Sequence, residues 1–225
     1  MFQINWKTKA IIFKFLNFFK LYKTLFFIQK KITKRSEVNF KEIVYYWDYH
    51  FKYLKENSSK SLLEIGAGKS LAQNIYLSYK FNQKIEQTLI DVSKMLDLEL
   101  FNKANEQISK IIGINKLPFV RSISDLEKNY NIKYIAPMDL KQLSENNIKF
   151  DASISSTTLE HLPKEELKEN FILLRKIIKK NGIISSLVDY SDHYSHTDQN
   201  IDNLNFLHYH QLLYSHRLIM FYILN

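Results

Sequence analysis

The feature that most constrains the fold is a glycine turn after a short apolar run. Residues 61–70 read Ser-Leu-Leu-Glu-Ile-Gly-Ala-Gly-Lys-Ser, and residues 71–80 have the pattern of a helix. Two of the chain's four glycines, Gly66 and Gly68, lie in this turn. A strand, a glycine turn and a helix N-terminus make a nucleotide-type site, because free N–H groups and the helix dipole face the ligand. An ordinary strand-to-helix turn has the same spacing, so the motif alone leaves both interpretations open.

A second strand with a terminal acid follows at a suitable distance. Residues 85–92 read Ile-Glu-Gln-Thr-Leu-Ile-Asp-Val and predict a strand that ends in Asp91. The separation of Asp91 from Gly66 is close to that at which dinucleotide folds present a carboxylate to ribose hydroxyls. The alternative role for Asp91, an N-cap for a helix that starts at Ser93, is compatible with ribose binding.

The rest of the chain alternates helices with strands. Helices are predicted over residues 36–55, 93–113, 125–128 and 164–180, and strands over residues 133–136, 150–156 and 183–188. Asp139 follows the third strand, at the edge of the sheet where ligands bind in such folds. Alternation of this kind implies a mostly parallel sheet. We therefore expect an α/β fold with a Rossmann-like doubly wound sheet and helices on both faces.

Two of the predicted helices carry apolar stripes at helical spacing. The stripe of the helix over 36–55, which Ser36 can cap, consists of Val44, Trp47, Phe51 and Leu54. The stripe of the helix over 164–180 consists of Leu167, Phe171, Leu174 and Ile178, and a turn is predicted at Asn181 and Gly182. Such stripes indicate packing in the core rather than ligand contacts.

Excess positive charge is confined to the first 35 residues. The net charge is +9, and residues 1–35 hold nine Lys and Arg residues but no Asp or Glu. The remainder of the chain is therefore balanced, which argues against a nucleic-acid-binding domain. The chain has no cysteine, so it has neither a disulfide nor a thiolate metal site, and this composition suits a cytoplasmic protein.

The basic segment, residues 1–35, is predicted to be an amphipathic helix that precedes a domain over residues 36–225. Lysines interrupt its apolar runs, so neither a membrane-spanning helix nor a signal peptide is expected. Opposite the lysines, a helical wheel groups Ile11, Phe15, Phe18, Tyr22, Leu25 and Phe26. This pattern is typical of a helix that lies in an anionic membrane interface. Two alternatives stay open, namely a helix that packs on the domain with its lysines in water and, less favoured, contact with nucleic acid.

With these segments placed, the chain resembles the class I S-adenosylmethionine-dependent methyltransferases, and the likeness covers residues 60–190. The segments that carry it are residues 63–68, 88–93, 138–140, 150–155, 159–162 and 174–182. The resemblance implies S-adenosyl-L-methionine as cofactor and the following cofactor-binding residues: Glu64, Gly66, Ala67, Gly68, Asp91, Val92, Asp139, Leu140 and Ser155. By this resemblance Glu64 and the glycine turn hold the methionyl part, Asp91 the ribose and Asp139 the adenine.

Methyl transfer requires little of catalytic side chains, because the sulfonium already activates the methyl group. His161 or His193 is expected as a general base, and a structural hydrogen-bonding role is the alternative for each. Five of the seven histidines lie after residue 192. We interpret them as loop and surface residues rather than as a metal cluster, and we expect no metal site.

Two departures from the common family pattern indicate a particular subgroup of the family. Lys69 and Ser70 stand where a third glycine is usual, and residues 188–193 read Val-Asp-Tyr-Ser-Asp-His. Both are similar to a bacterial subgroup associated with surface-polysaccharide gene clusters, and residues 203–207 extend the likeness. Too few residues follow for the family's last helix and two strands, so we expect the C-terminal antiparallel strands to be incomplete.

The resemblance implies methyl transfer to a small-molecule, glycan or lipid-linked acceptor. The composition indicates a cytoplasmic enzyme with no nucleic-acid partner, and the membrane interpretation of residues 1–35 would make it membrane-associated. The alternative is a non-catalytic membrane-surface or assembly protein that keeps the methyltransferase fold.

Overall fold

The structure, a computed structural model of the 225-residue chain, describes residues 5, 7–8, 10–12, 15, 40–192, 195, 198 and 200–205. The helices with defined bounds are α1 (Phe40–Glu56), α2 (Ala72–Lys80), α3 (Leu98–Ile112), α4 (Ile123–Tyr130), α5 (Leu140–Ser144) and α6 (Lys164–Ile177), and a 3₁₀ helix spans Leu159–His161. The strands are β1 (Ser61–Ile65), β2 (Glu86–Ile90), β3 (Ile132–Ile135), β4 (Phe150–Ser156) and β5 (Ile178–Leu187). The predicted alternation of helices and strands is confirmed across this range, and α5 and the 3₁₀ helix are additional elements that were not predicted from the sequence.

In the described part of the chain, the strands form one five-stranded sheet in the order β3-β2-β1-β4-β5. Every neighbouring pair is parallel. The chain runs outward from β1 to β3 and then returns to β4 beside β1, so the order of the strands reverses between β1 and β4. Ligands in such sheets bind beyond the carboxyl ends of the strands at this switch point. The prediction of a Rossmann-like doubly wound sheet is confirmed.

Two hydrophobic cores lie on opposite faces of the sheet. Successive residues of a strand point to opposite faces, and the neighbours Leu62 and Leu63 of β1 belong to different cores. The larger core joins β1 to side chains of α1, α2, α3 and α4, such as Trp47, Ile75, Phe101 and Leu126. The smaller core joins β1 to α5 and α6 through Leu140, Leu143, Leu173, Leu174 and Ile177. Helices therefore cover both faces, as predicted.

Asp151 ties β1 to β4 and β5 at the amino-terminal end of β1. One carboxylate oxygen accepts hydrogen bonds from the backbone N–H groups of Lys60 and Ser61 at 2.9 Å each and from Ser61 Oγ at 3.0 Å. The other oxygen pairs with Lys179 Nζ at 2.8 Å. Burial alone would raise the pKa of Asp151, but these hydrogen bonds outweigh it and hold that pKa well below its usual range.

The junction of the last helix and the last strand differs from the prediction. The helix was expected to continue to residue 180, but α6 ends at Ile177 and β5 begins at Ile178. β5 shifts its register against β4 in the stretch where a turn was predicted. Gly182 fits this irregular stretch because a Cβ there would lie 2.5 Å from the backbone oxygen of Asp151. An irregular segment of β5 thus lies where the sequence predicted a separate turn.

The buried stripe of α6 is rotated relative to the predicted one. Phe171 is 43 % exposed, whereas Leu173, Leu174 and Ile177 are buried. The spacing of the buried residues is also helical, so the pattern alone allowed more than one stripe. The stripe predicted for α1 is confirmed, since Val44, Trp47 and Leu54 are buried and Phe51 packs against the larger core.

The sheet belongs to one compact unit, residues 39–159 and 164–187, and a second unit takes in residues 160–163 together with both ends of the chain. Most of the basic segment, Ser36 and every residue after 205 lie outside the described residues. The expectation about C-terminal antiparallel strands therefore falls outside them as well. Within the described ranges, no helix is both long enough and apolar enough to cross a membrane.

Candidate functional site

The glycine turn closes tightly over the end of β1. Gly66 has φ +78° and donates its N–H to Ile90 O at 3.0 Å, which joins the turn to β2. A Cβ at Gly66 would lie 2.4 Å from Cγ2 and 2.5 Å from Oγ1 of Thr158. The turn therefore requires glycine at this position for both its backbone conformation and its packing.

Gly68 stands in open space. It has φ +70°, and no atom of the described residues lies within 4 Å of the position that a Cβ would take. Its N–H points at the carboxylate of Asp91, with a distance of 3.3 Å to Oδ2. The position of a Cβ is therefore filled by Thr158 at Gly66 and open at Gly68, which leaves space beside the backbone at the second glycine.

Asp91 lies directly after β2, beside β1, as predicted. Its side chain is 7 % exposed, and Oδ1 accepts a hydrogen bond from the N–H of Ser93 at 3.0 Å. Burial raises the pKa of Asp91, while the N–H groups of Ser93 and Gly68 partly offset that shift. The alternative role as a helix N-cap is wrong, because α3 begins only at Leu98 and Asp97 caps it.

Glu64 is the most deeply buried acid at this edge. It is 4 % exposed, and its carboxylate accepts hydrogen bonds from Gln73 Nε2 at 3.1 Å and from Asn74 Nδ2. Burial raises its pKa to about 7; the two amide donors oppose the shift, and Asp91 adds to it. A nearby cation would stabilise the ionised form of a buried carboxylate of this kind, since burial disfavours an isolated charge.

The N-terminus of α2 faces the same edge of the sheet. Leu71 occupies the N-cap position with φ +48°, and it provides no side-chain cap. Within the first turn, Gln73 and Asn74 use their side chains to bind Glu64 instead. The backbone N–H groups at the start of α2 thus lack a side-chain cap, an arrangement that suits an anion or another acceptor.

The segment that holds Asp139 is fixed next to Asp91. The N–H of Met138 donates to Asp91 O at 2.8 Å. Asp139 is exposed and caps α5, with Oδ1 accepting the N–H of Gln142 at 2.7 Å. Asp139 therefore has a structural role in the N-cap, and its second carboxylate oxygen is not used by that cap.

The other residues assigned by resemblance differ in exposure. Val92 is 61 % exposed, Ala67 is half-buried, and Leu140 is buried in the smaller core. Ser155 is 2 % exposed and donates from Oγ to Ser186 Oγ at 3.1 Å. Val92 and Ala67 are thus at least partly exposed, whereas the side chains of Leu140 and Ser155 are buried.

The carboxyl end of β4 holds a strained residue. Thr157 has φ +49°, which is unusual for a β-branched residue, and its N–H donates to Leu187 O at 2.9 Å. Thr158 then turns its side chain over Gly66 and donates from Oγ1 to Ser156 O at 3.1 Å. Backbone strain of this kind is held by the surrounding structure and concentrates at functional sites.

Of the two histidines predicted as general bases, the structure describes one and not the other. His161 ends the 3₁₀ helix and is half-buried, with both ring nitrogens out of contact with solvent. Its neighbour Glu160 accepts the N–H of Asp189 at 3.4 Å, and burial raises the pKa of Glu160. His193 lies outside the described residues, as do the other histidines after residue 192. Among the residues that are described, no cluster of His, Cys, Asp and Glu is arranged to hold a metal ion.

Sequence reasoning missed the polar side chains that surround Glu64. Gln73 and Asn74 follow the glycine turn directly, and Gln87 on β2 donates to Asn74 O at 3.1 Å. His50 on α1 is fully buried and bonded to two serine hydroxyls. A local signal existed only for the first two, since an Asn and a Gln in a helix whose other residues are mostly apolar require buried partners.

A second polar cluster involves residues from two segments over which the resemblance to the subgroup extends. Asp192 is 3 % exposed; its N–H donates to Asn203 O at 2.6 Å, and its Oδ2 accepts Asn205 Nδ2 at 2.9 Å. The buried acid Asp192 is thus held by hydrogen bonds to Asn203 and Asn205.

Sheet order, switch point and glycine turn together define a Rossmann-like α/β protein, with Gly68 and Asp91 at the edge of the sheet where such folds bind ligands. No protein-family profile matches the sequence. No curated protein matches it either.

Solved structures with a similar fold include three methyltransferases. The plantazolicin methyltransferase BpumL, in complex with a pentazolic desmethylPZN analogue and SAH, is 16 % identical over 88 % of this chain and 67 % of its own, with a TM-score of 0.46. The methyltransferase domain of bacterial CtHen1-CN is 18 % identical over 69 % of this chain and 70 % of its own, with a TM-score of 0.41. PKMT2 from Rickettsia typhi is 21 % identical over 57 % of this chain, with a TM-score of 0.38, and the match spans only 20 % of the PKMT2 chain. At these identities and scores, the matches assign neither an activity nor a ligand to this chain.

Proposed function

We propose that this chain binds S-adenosyl-L-methionine at the glycine turn and transfers its methyl group to a small-molecule, glycan or lipid-linked acceptor. The observation that carries the proposal is the half-open turn. Gly68 faces open space beside the Asp91 carboxylate, while Gly66 is closed by Thr158. The order of the motifs along residues 60–190 supports the same assignment.

The residues at this edge fit the parts of such a cofactor. Asp91 offers two carboxylate oxygens at the end of β2, which suits the two hydroxyls of a ribose. Glu64 is a buried carboxylate that a cationic amino group would stabilise, and the open space at Gly68 admits the methionyl part. We assign the adenine to the neighbourhood of Asp139, with Val92 and Leu140 as further candidate contacts.

The cofactor supplies an activated methyl group when it is bound. The chain has to bind and orient the cofactor and the acceptor, and to exclude water from them. Alignment of the acceptor with the sulfonium is the principal requirement. We retain His161 and His193 as candidate general bases for an acceptor that must lose a proton. We also retain Ser155 as a candidate contact near the carboxyl end of β4.

Calorimetric titration of Asp91→Asn with S-adenosyl-L-methionine tests the assignment. Hydrogen bonds to a charged group contribute about 1.5–3 kcal/mol each, so the affinity should fall at least tenfold. Asp125→Asn is the matched control, because Asp125 also accepts backbone N–H groups but caps α4. Equal affinities for the two folded variants would remove Asp91 from the site.

The resemblance of residues 188–193, together with the second polar cluster, supports a narrower acceptor class. Residues 188–193 resemble a subgroup associated with surface polysaccharides, and Asp192 is held by Asn203 and Asn205. We infer a glycan acceptor or its lipid-linked form. Formation of S-adenosylhomocysteine should then require a sugar-containing acceptor, and turnover with only sugar-free acceptors would contradict this inference.

A non-catalytic role at a membrane surface is the second candidate. Ile11 and Phe15, one helical turn apart, are 65 % and 60 % exposed in a stretch whose described residues from Lys7 on are helical. Each basic residue near an anionic surface contributes roughly 1 kcal/mol. Full-length protein should co-sediment with anionic but not with neutral vesicles, and Ile11→Ser/Phe15→Ser should weaken that binding. Vesicle binding without any cofactor binding would favour this second role.

A further inference from the structure

A chain of hydrogen bonds links the interior of α1 to the carboxylate at the glycine turn. His50 is fully buried, and its Nδ1 lies 2.8 Å from Ser185 Oγ while its Nε2 lies 3.0 Å from Ser156 Oγ. Ser156 Oγ contacts Gln73 Oε1 at 2.5 Å, and Gln73 Nε2 contacts Glu64 Oε1 at 3.1 Å. We call these five residues the His50 relay, and it joins α1, β5, β4, α2 and β1.

The direction of every hydrogen bond in the relay follows from the charge of Glu64. An ionised carboxylate only accepts, so Gln73 must turn its NH₂ group to Glu64 and its oxygen to Ser156. Ser156 has one hydroxyl proton and gives it to Gln73. His50 must therefore donate from Nε2 to Ser156, and its Nδ1 must accept from the hydroxyl of Ser185. All the donors then point toward Glu64.

The second carboxylate oxygen of Glu64 is also an acceptor of a hydrogen bond from an amide of α2. Asn74 Nδ2 donates both to Glu64 Oε2 and to Gln87 Oε1. Turning the amide over would set Asn74 Oδ1 against two acceptors. In the orientation observed, Asn74 Oδ1 is buried and has no hydrogen-bond partner among the described residues. Such an orphaned acceptor is costly, and it is tolerated here because the amide nitrogen donates to both Glu64 and Gln87.

We propose that His50 is a positioning residue for the cofactor site. Through Ser156 and Gln73, it holds the Glu64 carboxylate as a pure acceptor that is pre-oriented for the cationic amino group of the ligand. The proposal rests on the proposed function, since it names the residue that prepares the methionyl contact. His50 itself does not touch the ligand.

The polarity of the relay is defined above about pH 7, where Glu64 is ionised. Burial lowers the pKa of His50 to about 4, so the imidazole is neutral there. Its two ring partners are serine hydroxyls, which can donate or accept, so the ionised Glu64 at the far end of the relay selects the tautomer. The charged neighbour of Glu64 is Asp91 at the end of β2. The donors that face Glu64 from α2 are the uncharged amides of Gln73 and Asn74.

Two variants of His50 separate positioning from simple loss of stability. His50→Leu removes the donor to Ser156, whereas His50→Gln keeps one donor nitrogen and one acceptor oxygen, as in neutral imidazole. We expect His50→Leu to weaken binding of S-adenosyl-L-methionine about tenfold and His50→Gln to restore it to within about threefold of the wild type. The control is Asn105→Leu, which removes a buried amide bonded to Tyr79 and Leu117 but lies outside the relay. Equal losses in all three variants, or unchanged affinity in a folded His50→Leu protein, would overturn the proposal.

The tautomer of His50 tests the relay without any ligand. Long-range ¹H–¹⁵N correlation spectra of the wild-type protein at pH 8, assigned by the signals lost in His50→Gln, show which ring nitrogen carries the proton. We expect the proton on Nε2. A proton on Nδ1 would overturn the relay, because Ser156 could not then donate to both His50 and Gln73. Failure of the wild type to bind the cofactor would instead refute the proposed function, so the two failures are distinguishable.

Discussion

Replacing each of two glycines by alanine separates ligand approach from backbone strain. Gly68 in the turn and Gly113 at the end of α3 have almost the same φ, +70° and +68°, and both have open space where a Cβ would stand. A non-glycine residue in the left-handed region costs about 1–2 kcal/mol. Gly68→Ala and Gly113→Ala should therefore lower the free energy of unfolding by similar amounts, or Tm by roughly 2–8 °C for a domain of this size.

Only Gly68→Ala should affect the cofactor. Its added methyl group enters the open space at the ligand edge, where the backbone has to approach the ligand closely. We expect its affinity for S-adenosyl-L-methionine, measured by calorimetry, to fall at least tenfold, whereas Gly113→Ala should bind like the wild type. If the two alanine variants bind equally tightly, the ligand does not approach the chain at Gly68, and the assignment of the turn is wrong.

Gly66 provides the contrasting case within the same turn. A Cβ there would meet Cγ2 of Thr158 at 2.4 Å, so overpacking adds about 1–3 kcal/mol to the cost of the backbone conformation. Gly66→Ala should therefore destabilise the protein more than Gly68→Ala does in urea denaturation. Thr158→Ala removes both close atoms and should recover part of that loss; no recovery in the double variant would show that the contact is not the cause.

Two further predictions concern pH and stability. The folded ligand-free protein holds a proton on Glu64 up to about pH 7, whereas a free glutamate carboxyl has a pKa of 4.5. The free energy of unfolding should therefore fall by roughly 3 kcal/mol as the pH rises from 4.5 to about 7. In urea titrations, Glu64→Gln should remove this pH dependence of the stability. Asp151→Asn should lower stability at pH 7 by about 1–2 kcal/mol, because Asp151 bonds backbone N–H groups and Lys179. The pKa of Asp151 is lowered, so that contribution should be lost as the pH falls below the usual range of a carboxyl, and a Lys179→Met control should lose only the ion-pair part.

The parts of the fold that are encoded locally could be predicted from the sequence. The glycine turn is local, because Gly66 and Gly68 mark where the backbone must enter the left-handed region after a strand. The placement of Asp91 required only the length of the second strand. Parallel pairing then brought the ends of β1 and β2 together, so Gly68 N–H meets Asp91 as the motif spacing suggested.

The parts that depend on distant partners could not be predicted. The amides of Gln73 and Asn74 acquire their role only when Glu64 is buried beneath α2, and His50 reaches Ser156 and Ser185 across more than a hundred residues of chain. In the sequence, His50, Ser156 and Ser185 resemble ordinary helix and strand positions, and the local signal at Gln73 and Asn74 does not reveal their partner. Long-range pairing, rather than local pattern, assigns them to the site.

The end of α6 was mispredicted for a related reason. Residues 164–180 have a helical pattern throughout, but Lys179 pairs with Asp151 and Gly182 packs against its backbone oxygen. These contacts with the amino-terminal end of β4 favour an extended chain from Ile178 on. A local pattern cannot reveal contacts of this kind, and a boundary between a helix and a strand is sensitive to them.

The most direct test of the central claim is a calorimetric titration of the unmodified protein with four ligands. S-adenosyl-L-methionine and S-adenosylhomocysteine are compared with ATP and NAD, which share the adenosine part but lack the methionyl part. The account predicts one-site binding of the first two and much weaker binding of the others, because Glu64 and the opening at Gly68 select a cationic amino acid moiety. Binding of ATP or NAD with no heat from either S-adenosyl compound would contradict it.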